Sequence, residues 1–231
     1  SLEPDLVTLN TVISACAKGA KWEKALEILS YMRETVKPDN FSYNSAIAAC
    51  AAASGESYSA FQKSQELLDE MRRRGLQPDK FSYSSAIKAC TRTRNSDKAL
   101  QLLKQMEETE VEADVVVLTA VMDACATTGL WKECIHLLDK MRALNISPNE
   151  RTYRAAIAAC GKGGQWQRAL DLLASMRSEG FFISEITFNS AIAACEKGGQ
   201  HIHALSLIKQ MGEAGLSPDR YSYGSAISAC S

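Results

Sequence analysis

No stretch of this 231-residue chain approaches ~18 uninterrupted apolar residues, which excludes a membrane-spanning helix. Charge of either sign is not in excess. The chain has 26 Lys and Arg against 27 Asp and Glu, which argues against indiscriminate coating of polyanions. There is no glycine-rich phosphate loop, no Ser/His/Asp set and no histidine-rich cluster. No CxxC or comparable short pairing accompanies the cysteines, so a zinc site lacks its ligand spacing. His201 and His203, or Cys134 and His136, are two residues apart and would point ~200° apart on a helix, which prevents joint chelation. Neither a catalytic residue nor a cofactor or metal ion is expected within the chain, and no small-molecule substrate. The first ten residues, SLEPDLVTLN, resemble neither a secretory signal nor an Arg-rich transit peptide. The 46% hydrophobic content excludes a disordered chain and supplies enough apolar material for a core.

The eight cysteines carry the organisation. Seven of them (Cys16, Cys50, Cys90, Cys125, Cys160, Cys195, Cys230) recur at intervals of about 35 residues. Disulfide scaffolds have irregular spacing, so these thiols read as one small core position copied along an array. Met32, Met71, Met106, Met141, Met176 and Met211 keep a second phase, and Trp22, Trp131 and Trp166 a third. The few prolines keep a fourth, in Pro4-Asp5, Pro38-Asp39, Pro78-Asp79, Pro148-Asn149 and Pro218-Asp219. Ending each unit after that proline pair gives 6–39, 40–79, 80–114, 115–149, 150–184 and 185–219. Residues 1–5 then close a preceding unit, and 220–231 open a truncated seventh. The second unit is longer by five residues between Cys50 and Ser64, where the others have a tight turn.

Each unit reads as two helices. In the sixth, TFNSAIAACEK lacks helix breakers and Gly198-Gly199 ends it. HIHALSLIKQM comes next with apolar residues at helical spacing, closed by Gly215 and Pro218. No alternating run suggests a strand. The fold class is therefore all-α, an α-solenoid of tandem hairpins, read as a right-handed superhelix. On the first helix, unit positions 4, 7, 8 and 11 lie within about 100° of one another and form the packing face. In the third unit these are Tyr83, Ala86, Ile87 and Cys90. Positions 2, 5, 9 and 13 fall on the opposite side. Position 2 is mostly apolar there (Val7, Phe41, Phe81, Val116, Ile186, Tyr221), with Arg151 the exception. Two accounts of it stand: a staple onto the preceding turn, or a repeated contact surface for flat ligands. His201 shares the tryptophan phase and is expected to be a packing residue.

The pattern V-x-T-Y-N-x-x-I…G…A-L…M…G-x-x-P-D resembles the pentatricopeptide repeat family, with P-type-like repeats. It is carried by LVTLNTVISACAKGAKWEKALEILSYM…KPD and FSYNSAIAAC…LQPD and covers the whole chain. The tetratricopeptide repeat shares the small residue at position 20 but wants Gly at position 8, where this chain has Ile or Met. The resemblance implies single-stranded RNA as partner, read one base per unit. It implies that position 5 and the last residue of a unit select the base while position 2 residues sandwich it. Asn10/Asp39, Asn44/Asp79 and Asn189/Asp219 resemble the pairing that favours U, Ser84/Asp114 the G reader and Thr119/Asn149 the A reader. Arg154/Ser184 matches no standard pair, and Arg154 and Arg151 suit phosphate better than a base. The implied preference is 5'-UUGA-N-U-3'. Position 13 in the family often contacts the RNA backbone, and Lys18, Arg92, Lys162 and Lys197 match. A cation at a helix C-terminus is equally favoured by the helix dipole.

The resemblance leaves three readings: an RNA-binding array for transcript processing or stability, the RNA-recognition arm of a larger enzyme (protein-only RNase P, editing factor or nuclease fusion), and a protein-binding scaffold. The family lives mainly in mitochondria and chloroplasts, and eight unpaired thiols suit a reducing compartment. Starting in an inter-unit loop and ending in a first helix, the chain reads as an excerpt of a longer array. Without polar terminal units such a fragment is liable to stack end to end.

Overall fold

The computed structural model describes residues 4–55 and 57–230. Residues 1–3, within the segment read as the end of a preceding unit, and Glu56, within the insertion, lie outside the described residues. Thirteen helices and no strand occur among the described residues. They are α1 (Leu6–Lys18), α2 (Trp22–Thr35), α3 (Asn40–Ala53), α4 (Tyr58–Arg73), α5 (Lys80–Arg92), α6 (Ser96–Glu108) and α7 (Val115–Thr128). They continue with α8 (Trp131–Ala143), α9 (Glu150–Lys162), α10 (Trp166–Ser178), α11 (Glu185–Lys197), α12 (His201–Glu213) and α13 (Arg220–Ser228). The fold is all-α and built from tandem helical hairpins.

The recurring phases have local causes. Each odd helix starts at an N-cap side chain: Asp5, Asp39, Asp79, Asn149, Ser184 and Asp219 each accept from the backbone N–H three residues on. Asp114 does the same for Val116 and Val117. The ends are closed by left-handed residues, where backbone bonds return to the fixed cysteine or methionine. Asn95 N–H reaches the Cys90 carbonyl at 2.9 Å and Gln200 that of Cys195 at 2.8 Å. Leu76 reaches Met71 at 3.0 Å and Leu216 reaches Met211 at 2.9 Å. Cysteine therefore marks the end of an odd helix, and methionine that of an even one.

The chain forms two compact units, one running to Ala124 and one from Cys125, with the boundary inside α7. In the first, α1, α3 and α5 lie side by side, each packed on its own even partner α2, α4 or α6. In the second, α9, α11 and α13 repeat the arrangement, with α10 and α12 packed on α9 and α11. The positions expected to form the core do so. Tyr43, Ala46, Ile47 and Cys50 are wholly buried, as are Tyr83, Ala86, Ile87 and Cys90, and Phe188, Ala191, Ile192 and Cys195. A fully buried aliphatic side chain of this size contributes about 1.5–3 kcal/mol. Small residues let the odd helices approach closely: a Cβ at Gly161 of α9 would strike the Ser190 carbonyl of α11. The small position 20 is buried in Ala25, Ser64, Ala99, Cys134, Ala169 and Ala204.

One sequence expectation changes. His201 is exposed, and it is His203 that packs, its ring 4.9 Å from that of Trp166. The tryptophans of this phase rest on the glycine that ends the next odd helix, Trp131 on Gly163 and Trp166 on Gly198. No equivalent glycine comes after His201 in this chain. The insertion lengthens the helices, α4 to 16 residues where α6 has 13, and α3 packs on α5 as α1 packs on α3.

Candidate nucleic-acid interface

The apolar residues of position 2 stand in solvent. Val7, Phe41, Phe81, Val116, Ile186 and Tyr221 are all exposed, from 52% at Val116 to 70% at Val7. Each lies in the first turn of an odd helix, just past the N-cap. Arg151 is exposed at the same place on α9.

Position 5 is placed differently from the open polar face expected of a single helix. Asn10 (9% exposed), Asn44 (7%), Ser84 (9%) and Thr119 (4%) are buried. Only Arg154 and Asn189 are half-buried and Gly224 exposed. The close approach of neighbouring odd helices turns this position into a seam. There the asparagines meet the last residue of their own unit, which caps the next odd helix. Asn44 Nδ2 donates to both carboxylate oxygens of Asp79, at 3.1 and 3.0 Å. Asn10 Nδ2 lies 3.3 and 3.5 Å from those of Asp39, and Asn189 Nδ2 lies 3.5 Å from Asp219 Oδ2. The three pairs read from the sequence as alike are alike in structure.

The remaining pairs differ. Ser84 is too short to replace the asparagine, and the Asp114 carboxylate is bound by Lys80 Nζ at 3.0 Å. Thr119 turns its hydroxyl to the Val115 carbonyl of its own helix at 2.5 Å. Asn149 accepts from Thr152 N–H at 3.0 Å and Ser184 accepts from Thr187 N–H at 3.4 Å, both as caps.

The carboxyls of Asp39, Asp114 and Asp219 are held below the ordinary carboxylate value. Burial pushes the Asp39 carboxyl up, but hydrogen bonds from the Ser42 backbone and side chain and from Asn10 outweigh it and hold it below its ordinary value. Asp219 is held low by the backbone and hydroxyl of Ser222. For Asp114, the Val117 backbone and Lys80 overcome the opposing effect of burial.

Position 13 meets backbone. Lys197 Nζ donates to the Lys162 carbonyl at 2.6 Å, Lys162 Nζ to that of Thr127 at 2.8 Å, and the Arg92 guanidinium to that of Ala52. Each cation thus caps the C-terminus of the preceding odd helix, as the dipole account requires. Lys18 is exposed in the last turn of α1.

In the second unit, these features converge on one open groove of about 1060 Å³. Ile186 and Tyr221, the position 2 residues of α11 and α13, line it together with Asn189 and Asp219. Ala158, Ala193, Lys162 and Lys197 also line it, with Glu196 among the cations. The groove therefore offers apolar flanks, an amide beside a carboxylate, and cations along one side. A participant that the expected set omits is the hydroxyl at position 3. Ser42, Ser82 and Ser222 donate to the asparagine oxygens of Asn10, Asn44 and Asn189. The signal was present in the sequence as Asp-x-x-Ser, a helix N-terminus pattern.

The family model described as the pentacotripeptide-repeat region of PRORP matches residues 4–179 and 103–201. No curated protein matches the chain. Among solved structures, the pentatricopeptide repeat protein PPR10 from maize is 25% identical, with a TM-score of 0.64 over 98% of this chain. The match spans only 32% of the maize chain. The PPR domain of Arabidopsis thaliana protein-only RNase P 1, solved in complex with tRNA, is 15% identical with a TM-score of 0.68, covering 79% of this chain and 94% of that domain. The nuclear proteinaceous RNase P 2 of A. thaliana is 17% identical with a TM-score of 0.71, covering 87% of this chain and 46% of its own. These last two likenesses bear on the fold alone.

Proposed function

Because the chain belongs to the pentatricopeptide repeat family, we propose that it binds single-stranded RNA, one base to each of the units 6–39, 40–79, 80–114, 115–149, 150–184 and 185–219. The observation that carries this reading is the groove of α11 and α13, where Ile186, Asn189, Asp219 and Tyr221 line one space. A base entering edge-first would lay its faces against Ile186 and Tyr221, and stacking of this kind is worth about 1–3 kcal/mol per base. Its edge would meet the Asn189 amide and the Asp219 carboxylate. Burial of Asn10, Asn44, Ser84 and Thr119 fits a seam that admits an edge and excludes a face. Dry surroundings also strengthen each hydrogen bond made there.

The proposed order is 5'-UUGA-N-U-3', with the N-terminus at the 5' end. Arg151 and Arg154 serve phosphate in the fifth unit, and Lys18, Arg92, Lys162 and Lys197 do so elsewhere. The chain acts as a binding module, with no catalytic residue of its own. Selection from a random RNA pool tests this reading, and enrichment of the stated order is expected. Equal affinity for that RNA and a scrambled one at the same salt concentration would refute it.

A second reading, the recognition arm of a larger enzyme, is favoured by the match to the repeat region of PRORP. A metallonuclease segment elsewhere in the full-length protein would select it. A mitochondrial or chloroplast location rests on family membership alone, and one solved relative is nuclear. End-to-end association of the isolated chain is supported by the exposed Ile202 and Leu205 of α12 and Ile227 of α13.

A further inference from the structure

Every unit with asparagine at position 5 is succeeded by serine at position 3 of the next: Asn10 by Ser42, Asn44 by Ser82 and Asn189 by Ser222. Where position 5 is Ser84, Thr119 or Arg154, the corresponding residue is Val117, Thr152 or Thr187 instead. The three serines are wholly buried and share one bonding pattern. Ser82 Oγ accepts from the Asp79 N–H at 3.1 Å and donates to Asn44 Oδ1, which lies nearer to it than the 3.0 Å of Asp79 Oδ1. Ser42 Oγ lies 2.6 Å from Asn10 Oδ1, and Ser222 Oγ 2.6 Å from Asn189 Oδ1.

We propose that Ser42, Ser82 and Ser222 are positioning residues that fix which end of the asparagine carboxamide a base meets. This rests on the base-reading function proposed above. A carboxamide has two donors and one acceptor, and the two ends exchange on a half-turn. The aspartate draws the N–H₂ end, while the serine hydroxyl holds the C=O end away from the aspartate. One N–H is then left beside a carboxylate oxygen. That donor-next-to-acceptor order complements the adjacent C=O and N–H of uracil. A half-turn would set C=O beside carboxylate, two acceptors, which complements the paired donors of guanine. The serine thus selects U against G without touching the base.

The test compares the wild-type chain with Ser82→Ala and Ser82→Thr. Four RNAs differ only in the base facing the second unit, and their affinities are measured by fluorescence anisotropy at one salt concentration. Ser82→Ala is expected to lower the preference for U over G about fivefold, the worth of one neutral hydrogen bond. Ser82→Thr restores it, and the preference at the base facing the sixth unit stays as in wild type. Hydrogen exchange of the Asn44 side-chain amide, monitored by NMR without RNA, is expected to be slow in wild type and Ser82→Thr and faster in Ser82→Ala. An equal loss of affinity for all four RNAs, or an unchanged preference, would overturn the proposal whatever the exchange rates show. If wild type itself shows no preference at that base, the base-reading function fails and takes this proposal with it. Ser222→Ala, read at the base facing the sixth unit, repeats the test should Ser82→Ala fail to fold.

Discussion

The carboxamide of Asn44 donates to both oxygens of Asp79, at 3.1 and 3.0 Å, across 35 positions of sequence. Those positions include the entire insertion of the second unit, and the pair is made none the less. The same bond joins Asn10 to Asp39 in a unit without the insertion. The added residues are taken up along α3, α4 and the turn between them, so the distance from the asparagine to the next N-cap is unaltered.

That pair can be recoded. Asn44→Thr combined with Asp79→Asn is expected to move the preference at the second base from U to A, as selected from a random pool. Asparagine at 79 remains an able N-cap, so the helix start survives. An unchanged preference would mean that these two residues do not read the base.

The exposed aromatics separate binding from folding. Phe41→Ala and Phe81→Ala are each expected to weaken RNA binding by about 1–3 kcal/mol. Loss of an exposed side chain should move stability by no more than about 0.5 kcal/mol. Titration of RNA together with thermal unfolding checks both. A large loss of stability with intact binding would return position 2 to a structural role.

Much of this was legible in the chain itself. The cysteine and methionine phases revealed the repeat, and glycine and proline marked the ends of its helices. The packing face at Tyr83, Ala86, Ile87 and Cys90 came from helical angle alone. Angle gives direction without depth, however. Asn10 and Asn44 point away from their own hairpin and are still buried, because the next odd helix arrives close beside them. The same missing neighbour hid the carbonyls beneath Lys162 and Lys197, while the tryptophan phase made His201 look like a packing residue when His203 holds the contact with Trp166.

Left-handed turns offer a stabilising change. Arg94 (φ 54°) and Glu110 (φ 55°) occupy backbone positions held by glycine at 129, 164, 180 and 215. A side chain there costs about 1–2 kcal/mol. Arg94→Gly and Glu110→Gly are each expected to raise the unfolding midpoint in a thermal melt, and a lower midpoint in both would contradict this account.

Alkaline pH should weaken the fold. Burial pushes the thiols of Cys50 and Cys90 up to about 12, and those of Cys160 and Cys195 up to about 11, from an ordinary 9.0. The folded state keeps these protons while the unfolded state releases them, so stability is complete below pH 9 and falls as pH rises toward 12. Denaturant midpoints measured across that range check the sign. At pH 8, alkylation should mark exposed Cys230 and half-buried Cys16 and spare the six buried thiols.

The cations of position 13 are testable by salt. Lys197→Gln is expected to lower the slope of log affinity against log salt by about 0.7, the value for one phosphate contact on a single strand. It should also lower the melting temperature through loss of the bond to the Lys162 carbonyl. An unchanged slope with a lower melting temperature would leave Lys197 as a helix cap alone.

The residue that ends each unit also begins the next helix, and this duty constrains any vocabulary written there. In this chain the position holds Asp39, Asp79, Asp114, Asn149, Ser184 and Asp219, drawn from the side chains that start helices best. A mutation toward an aliphatic residue would unravel the turn that presents Phe41, Phe81 or Tyr221, and specificity would vanish together with the surface that displays it. Drift at these sites is thereby confined to a few polar spellings, each of which leaves the architecture standing.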